Sequence, residues 1–435
     1  MKKGVSIGLT VTLMAITATV VFSMTMIFSM ENFNSRLKNV SEREAMYEKA
    51  AEIDHIVRQY YIRDIDEQNL TDNIARGYMG GLQDPYSNYM SVEEYQAFSE
   101  SLSGKTKGIG ARVSPGESNF MHVDEVYKNS PAFDVGLAAG NLIVKVDNID
   151  ISNEATYEEA KAVLTGEVGT KVFITYRSET QEQTVEVTLR EYEVPTVYSK
   201  IMGKNGVIKI TEFNEGTSAQ FSDALSSLIA QGADGLIFDV RDNGGGQVDS
   251  VVAVLDTLLP EGNIVTIEYE STPQEVYVSK EGEISLPMTV IVNGNTASAA
   301  ELFAVALWDY GKAKIVGTST LGKGTIQTLY KLNDGSAIRL TSAKYNPPQS
   351  PNYDGIGVRP DVEVKIEAEK EKELNSLIFE DRNEYTDSQL KKAIDTIEVF
   401  KKELGIQSNA PTETSSPTEI EESAEVSLVA ESGEE

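Results

Sequence analysis

The alternation of apolar and polar positions divides the chain into stretches of different period. Residues 4–30 form an uncharged, mainly apolar run, long enough to cross a roughly 30 Å hydrocarbon layer as a helix. From Ser41 to about Arg76 the period is helical, with Tyr47, Ala51, Ile53, Ile56, Val57 and Tyr60 on one stripe. Gly80-Gly81 interrupts it, and Asp84-Pro-Tyr-Ser87 reads as a turn. Between Leu102 and Glu191 the pattern shortens to β-like runs at 120–127, 142–146, 171–176 and 184–189, with one short helix at 157–164. A longer α/β stretch follows. Its buried-strand candidates are 206–210, 235–240, 288–292 and 314–316, with helices at 218–231 and 299–309 between them. Charged helix returns from 369 to 404. The last stretch, rich in Ser, Thr, Glu and Pro, has too little apolar area to repay ordering and is expected to be disordered.

The flanks of the first run assign it a role. Lys2 and Lys3 precede it and favour a cytoplasmic N-terminus, which predicts a single-pass anchor with the remainder outside the cell. The bacterial membrane is then one partner. A cleaved signal peptide, giving a secreted form, is the alternative, although Ala15 and Ala18 stand three apart rather than the two of an A-x-A site.

Composition narrows the chemistry. A net charge of −30 over 435 residues argues against nucleic acid, whose binding needs Lys and Arg to displace counterions. There is no Cys, so disulfides, a thiol nucleophile and thiolate metal sites are excluded. Only His55 and His122 are present, which excludes a histidine-rich metal site and leaves one of them for any Ser-His-Asp triad. Both lie far along the chain from the glycine-rich region, so base catalysis falls to a carboxylate or to a Lys of lowered pKa. Nothing calls for a metal or an organic cofactor.

Three segments carry candidate chemistry. Residues 288–301 pass from strand through a tight turn into helix, with Ser298 near the helix start, where unpaired amides nearby can stabilise an oxyanion. A plain N-cap is the alternative for that serine. Residues 317–323 imitate the phosphate-loop pattern GxxxxGK, but Gly324 stands where magnesium needs a hydroxyl, and 325–332 reads as strand instead of helix. Lys323 is better read as a base: in a dry pocket its amine loses its proton more readily and can accept that of Ser298. Gln327 could orient the amine without adding charge, and because residues four apart on a strand lie about 13 Å apart, a direct contact implies a bend, which Gly324 permits. The third segment, Phe238 to Gly246, ends a strand in three glycines whose backbone amides can approach a ligand closely. A flexible loop is the alternative. Asp239 and Arg241 read as a structural pair.

Together these residues resemble the carboxy-terminal processing peptidases, the S41 family of tail-specific serine proteases. Asp239-Val-Arg241, Asn243 and Gly245-Gly246 are similar to its glycine loop, 293–301 to its nucleophile segment, and Gly322-Lys323-Gly324 with Gln327 to its base segment. The resemblance implies Ser298 as nucleophile, Lys323 as base and Gln327 as its support, with backbone oxyanion donors at Ala299, Gly244 and Gly245. The β-rich stretch resembles a PDZ domain, in which Gly108-Ile-Gly-Ala111 would receive a peptide's terminal carboxylate and a protein tail would add as a strand.

The expected fold is multidomain α/β and α+β, a mixed α/β protease core with a PDZ-like β-rich domain ahead of it and helical modules at both ends. Its boundaries are an anchor or signal at 1–30, a helical module at 31–94, the PDZ-like domain at 95–191, the protease core at 192–366, a helical module at 367–405 and an acidic tail at 406–435. The resemblance implies endopeptidase action on extracytoplasmic proteins recognised by their C-terminal tails, and a homodimer paired through the helical modules. The competing reading is a non-catalytic peptide-binding scaffold.

Overall fold

The computed structural model describes residues 7–116, 119–179, 181–270 and 272–405. The acidic tail expected at 406–435 lies outside them, as do Lys2 and Lys3. The chain separates into two compact units, Met1–Ala75 and Arg76–Glu435.

In the first unit, Ile7–Tyr60 is a single helix of 54 residues. Among the described residues no helix is long and apolar enough to cross a membrane. That overturns the expected transmembrane anchor, with its membrane contact and its single-pass, extracytoplasmic placement. The apolar run does not stand alone as a span: Thr17, Thr19, Ser23 and Thr25 punctuate it, and the helix continues unbroken into a stretch carrying Glu42, Arg43, Glu48 and Asp54. The stripe read as reaching Arg76 stops at Tyr60. Asp66 then restarts a helix, accepting the Asn69 N–H on Oδ1 at 3.0 Å and the Leu70 N–H on its carbonyl at 2.9 Å. This second helix is Glu67–Gly80.

The second unit is built on a six-stranded mixed sheet ordered Val197–Met202, Asn205–Ile210, Gly235–Asp239, Met288–Val292, Ala313–Gly317 and Val362–Glu363. The first pair is antiparallel and the rest are parallel. Its central strands read as continuous apolar runs because both faces are covered. Leu236, Phe238, Val290 and Val292 point to the face packed by the helices Thr217–Ala230, Val248–Leu258 and Ala299–Asp309. Ile237 and Ile291 alternate to the other face, against Leu390, Ala393 and Ile397 of the helix Ser388–Glu403.

That last helix is shorter than the sequence pattern suggests. The charged stretch breaks into Ala368–Ser376, a short 3-10 turn and Ser388–Glu403, the last begun by Asp387, whose Oδ1 accepts the N–H groups of Gln389 and Leu390. An antiparallel sheet joins Gly262–Tyr269, Glu275–Ser279, Thr325–Lys331, Ala337–Asn346 and Asn88–Met90. A third sheet, Ala111–Pro115, Met121–Val126, Leu142–Val146, Lys171–Arg177 and Glu182–Thr188, has Ala111–Pro115 at its edge. With the helix Glu154–Leu164 it encloses its own apolar cluster, including Met121, Ile143, Tyr157, Leu164 and Ile174.

Candidate active site

The nucleophile candidate sits where the strand Met288–Val292 turns into the helix Ala299–Asp309. The turn is pinned from below: Asn293 N–H donates to Thr296 Oγ1 at 3.0 Å, and that hydroxyl donates to the Val240 carbonyl at 2.9 Å. Ser298 occupies the N-cap position with φ 57° and ψ −121°, a backbone state that costs a residue with a Cβ about 1–3 kcal/mol. It is only 7% exposed. Its hydroxyl meets that of Tyr345, a phenol that burial pushes up to about 12, and Tyr353 donates to its carbonyl at 3.3 Å.

The glycine loop lies directly on this serine. Gly245 has φ +104°, and a Cβ there would stand 2.8 Å from Ser298 Cβ and 2.9 Å from the Ala297 carbonyl oxygen. Asn243 holds the loop, accepting the Gly245 N–H at 2.8 Å and donating to the Ile210 carbonyl at 3.0 Å. Of the three amides expected as oxyanion donors, Gly245 is therefore already engaged. Those of Gly244 and Ala299 have no acceptor among the described residues. The loop is also not a free one. Arg241 is bound by Asp239 and Asp387, with the strongest contacts at 2.6 Å to each, and all three side chains are buried. Burial alone would raise the Asp239 carboxyl, but the adjoining guanidinium outweighs it and holds the carboxyl well below the usual range.

A single carboxylate joins the nucleophile and base segments. Glu301, wholly buried, accepts the Ser298 N–H at 2.9 Å and the Lys323 N–H at 2.8 Å on Oε2. On Oε1 it accepts the Gly322 N–H at 2.7 Å and the Thr320 hydroxyl. In the sequence, Glu301 is only the last residue of the segment 293–301. Its spacing three residues after an N-cap serine is the capping-box signature and was the available signal.

Lys323 reaches the site half-buried. Desolvation lowers its pKa, and Arg339 lowers it further, while Asp84 and Glu301 oppose both. Its Nζ lies 4.8 Å from the centre of the Tyr86 ring and has no hydrogen-bond partner among the described residues, Ser298 Oγ and Gln327 included. Gln327 instead donates through Nε2 to Thr325 Oγ1 at 3.2 Å and Thr341 Oγ1 at 3.3 Å. The irregularity of this strand lies beyond Gly324, as a register shift between Ile326 and Gln327.

The candidate carboxylate loop of the β-rich unit is occupied by the protein's own contacts. Ile109 N–H donates to the Leu164 carbonyl at 3.1 Å, and Ile109 itself is buried. Gly110, at φ +74°, lies so close to Ser130 that a Cβ would stand 2.2 Å from the serine Cβ. Ala111 pairs with Val126, and Gly108 with Arg190. A polar cavity of about 490 Å³ lies elsewhere, at the ends of the strands, lined by residues such as Arg241, Asn293, Thr318 and Gln389. Neither Ser298 nor Lys323 lines it, and the Arg241 guanidinium at its wall is already fully paired, so the reactive residues are better placed by the turn geometry than by this cavity.

Comparison with known proteins places the chain in a family. The family described as peptidase family S41 matches residues 204–364, and the activating protease CtpB N-terminal domain matches residues 10–94. The carboxy-terminal processing protease CtpA of Bacillus subtilis (strain 168) is 32% identical over 356 residues, covering 81% of this chain and 76% of the relative. A CtpA-like serine protease of Staphylococcus aureus (strain MSSA476) is 31% identical over 348 residues, covering 79% of this chain and 69% of the relative. Among solved structures, the photosystem II D1 C-terminal processing protease aligns at 28% identity and TM-score 0.43, over 70% of this chain and 84% of that one. The chain belongs to peptidase family S41 and is a serine peptidase of the CtpA-like carboxy-terminal processing type.

Proposed function

We propose that Ser298 and Lys323 form the hydrolytic dyad of an endopeptidase that selects proteins by their C-terminal tails. One observation carries the assignment: the Glu301 carboxylate binds the backbone of both residues, which ties the strained turn bearing the Ser298 hydroxyl to the loop bearing a lysine of lowered pKa. Ser298 Oγ attacks the scissile carbonyl while the neutral amine of Lys323 takes its proton. The negative charge that develops on the carbonyl oxygen is met by the unclaimed N–H groups of Ala299 and Gly244. Lys323 then returns the proton to the leaving amine, and water hydrolyses the acyl-enzyme by the same path in reverse. For this cycle the amine has to leave the Tyr86 ring for Ser298. Gln327 supports the hairpin that carries Lys323 through Thr341.

The same reading assigns residues 95–191 to a PDZ-like module, 192–366 to the protease core and 367–405 to a C-terminal helical module. The edge strand Ala111–Pro115 offers unpaired backbone for a tail to add as a further strand. Tyr157 donates to the Val113 carbonyl at 3.4 Å and Ile109 to Leu164, so a tail would exchange these internal bonds for its own. The test is cleavage of an unfolded protein ending in apolar residues, compared with the same protein carrying an amidated C-terminus. Preference for the free carboxylate, lost in the Ser298→Ala and Lys323→Ala variants alike, is the expected result. Equal cleavage of both substrates would remove tail selection, and cleavage surviving in either variant would remove the dyad.

A further inference from the structure

Tyr86 lies in the turn that follows the helix Glu67–Gly80, yet its ring faces the candidate base. The turn is fastened to the hairpin bearing Lys323 and Gln327. Strand Asn88–Met90 pairs with Ala337–Asn346, with Asn88 opposite Arg339 and Met90 opposite Ala337. Ser87 Oγ accepts the Thr341 N–H at 2.9 Å, and the Tyr86 carbonyl accepts from Arg339 Nε at 3.3 Å. Within the turn, Asp84 Oδ1 accepts the Tyr86 N–H at 3.0 Å, and the Ser87 hydroxyl donates to Asp84. With its backbone held at both ends, the ring lies 4.8 Å from Lys323 Nζ.

We propose that Tyr86 is a positioning residue for Lys323, its ring face holding the ammonium between turnovers and releasing the neutral amine to Ser298. The proposal rests on Lys323 being the base. Its physical content is a preference for one protonation state. The negative face of an aromatic ring attracts a cation, and that attraction vanishes when the amine loses its proton. The ring therefore stabilises the resting, protonated lysine and has no hold on the reactive form.

The charged groups around the pair act in both directions. Arg339 on the strand Ala337–Asn346 opposes the cation, while Asp84 in the turn and Glu301 on the helix Ala299–Asp309 favour it. Asp354 faces the phenol from the loop beyond the strands. Burial, with Asp354, Glu301 and Asp84 adding to it, raises the Tyr86 phenol, so the ring stays neutral over the working range.

The test uses the full chain with carbon-13-labelled lysine, the Lys323 signal being identified by its loss in Lys323→Arg. In the parent and in Tyr86→Phe, the Lys323 Hε resonances are expected upfield, shifted by the ring. Tyr86→Leu keeps the apolar bulk and removes the π face. Its Lys323 signal should return to the ordinary position, and its titration midpoint should fall by a fraction of a unit to about one unit. The acid limb of kcat should move the same way while the plateau is kept, with Tyr86→Phe restoring the limb. A parent Lys323 signal at the ordinary position overturns the proposal however Tyr86→Leu folds, and so does an unmoved midpoint in Tyr86→Leu. If Lys323→Ala still cleaves, the base assignment itself falls and the catalytic part of the proposal falls with it. If Lys323→Ala is inactive while Tyr86→Leu matches the parent, Tyr86 alone is refuted.

Discussion

Glu301 offers the sharpest energetic prediction because two substitutions there part company. Its carboxylate accepts four hydrogen bonds, from the N–H groups of Ser298, Gly322 and Lys323 and from the Thr320 hydroxyl, at a position with no solvent access. Leaving a buried donor unsatisfied costs about 1–3 kcal/mol. Glu301→Ala strands all four donors, a loss comparable to the roughly 5–15 kcal/mol that holds a domain folded. That variant should not fold. Glu301→Gln is different. With its carbonyl oxygen at the Oε2 position it keeps the Ser298 and Lys323 N–H bonds, and the Thr320 hydroxyl can rotate to accept from the new amide. The Gly322 N–H is left facing a donor and the Thr320 O–H loses its acceptor, so the cost should be about 2–6 kcal/mol.

The neutral amide also removes a charge that favours protonated Lys323, so the acid limb of kcat should shift to lower pH. Urea unfolding measures the first effect and a pH–rate profile the second. An Ala variant as stable as the parent, or a Gln variant with unchanged stability and an unmoved acid limb, would refute the claim that this carboxylate organises the site.

Four further outcomes follow from the geometry and its electrostatics. Gly245→Ala places a Cβ 2.8 Å from Ser298 Cβ at φ +104°, so it should cost about 1–3 kcal/mol and lower kcat; full labelling of Ser298 by a serine-reactive fluorophosphonate at the parent rate would contradict this. Asp387→Ala leaves the buried Arg241 short of a partner and should destabilise the protein by about 3–5 kcal/mol in denaturant melts, while an unchanged midpoint would show the ion triad to be dispensable. Because the Asp239 carboxyl is depressed below its ordinary 3.8, its contribution to stability should be complete above that pH and be lost only as pH falls further. With Lys323 as the proposed base, acting as the neutral amine with its pKa depressed by burial, kcat/KM should rise with pH to a plateau whose acid limb lies below the ordinary 10.5. A limb at or above that value would contradict a desolvated base.

Much of the fold was legible because its signals are local. The strands at 142–146 and 288–292 and the helix at 299–309 were bounded by their apolar runs and turns, and each appears as read. The helix Val248–Leu258 escaped notice because its β-branched valines suit a strand; tertiary packing of Val251, Val254, Leu255 and Leu258 decides it. The N-terminal run shows the limit of reading apolar content by itself, since neither its hydroxyl side chains nor the helix continuing beyond it entered the estimate.

In the site, Ser298, Lys323 and the glycine loop were recognisable as motifs. What links them was not. Glu301 binds partners up to 22 residues away, and Tyr86 reaches Lys323 across a sheet edge, so neither connection has a sequence period. A direct contact of Gln327 with the lysine was conditional on a bend; its amide donates to Thr325 and Thr341, and the register shift beside it cannot be counted from spacing alone.

The most direct test of the account is intact-mass and peptide mapping of the full chain, quenched during turnover of a C-terminal ester substrate. The account predicts an acyl adduct on Ser298 that accumulates in the parent and is absent from Ser298→Ala. In Lys323→Ala the adduct should not form at any pH where the parent is active. An adduct on any other residue, or one that forms at the parent rate without Lys323, would contradict the Ser298–Lys323 mechanism.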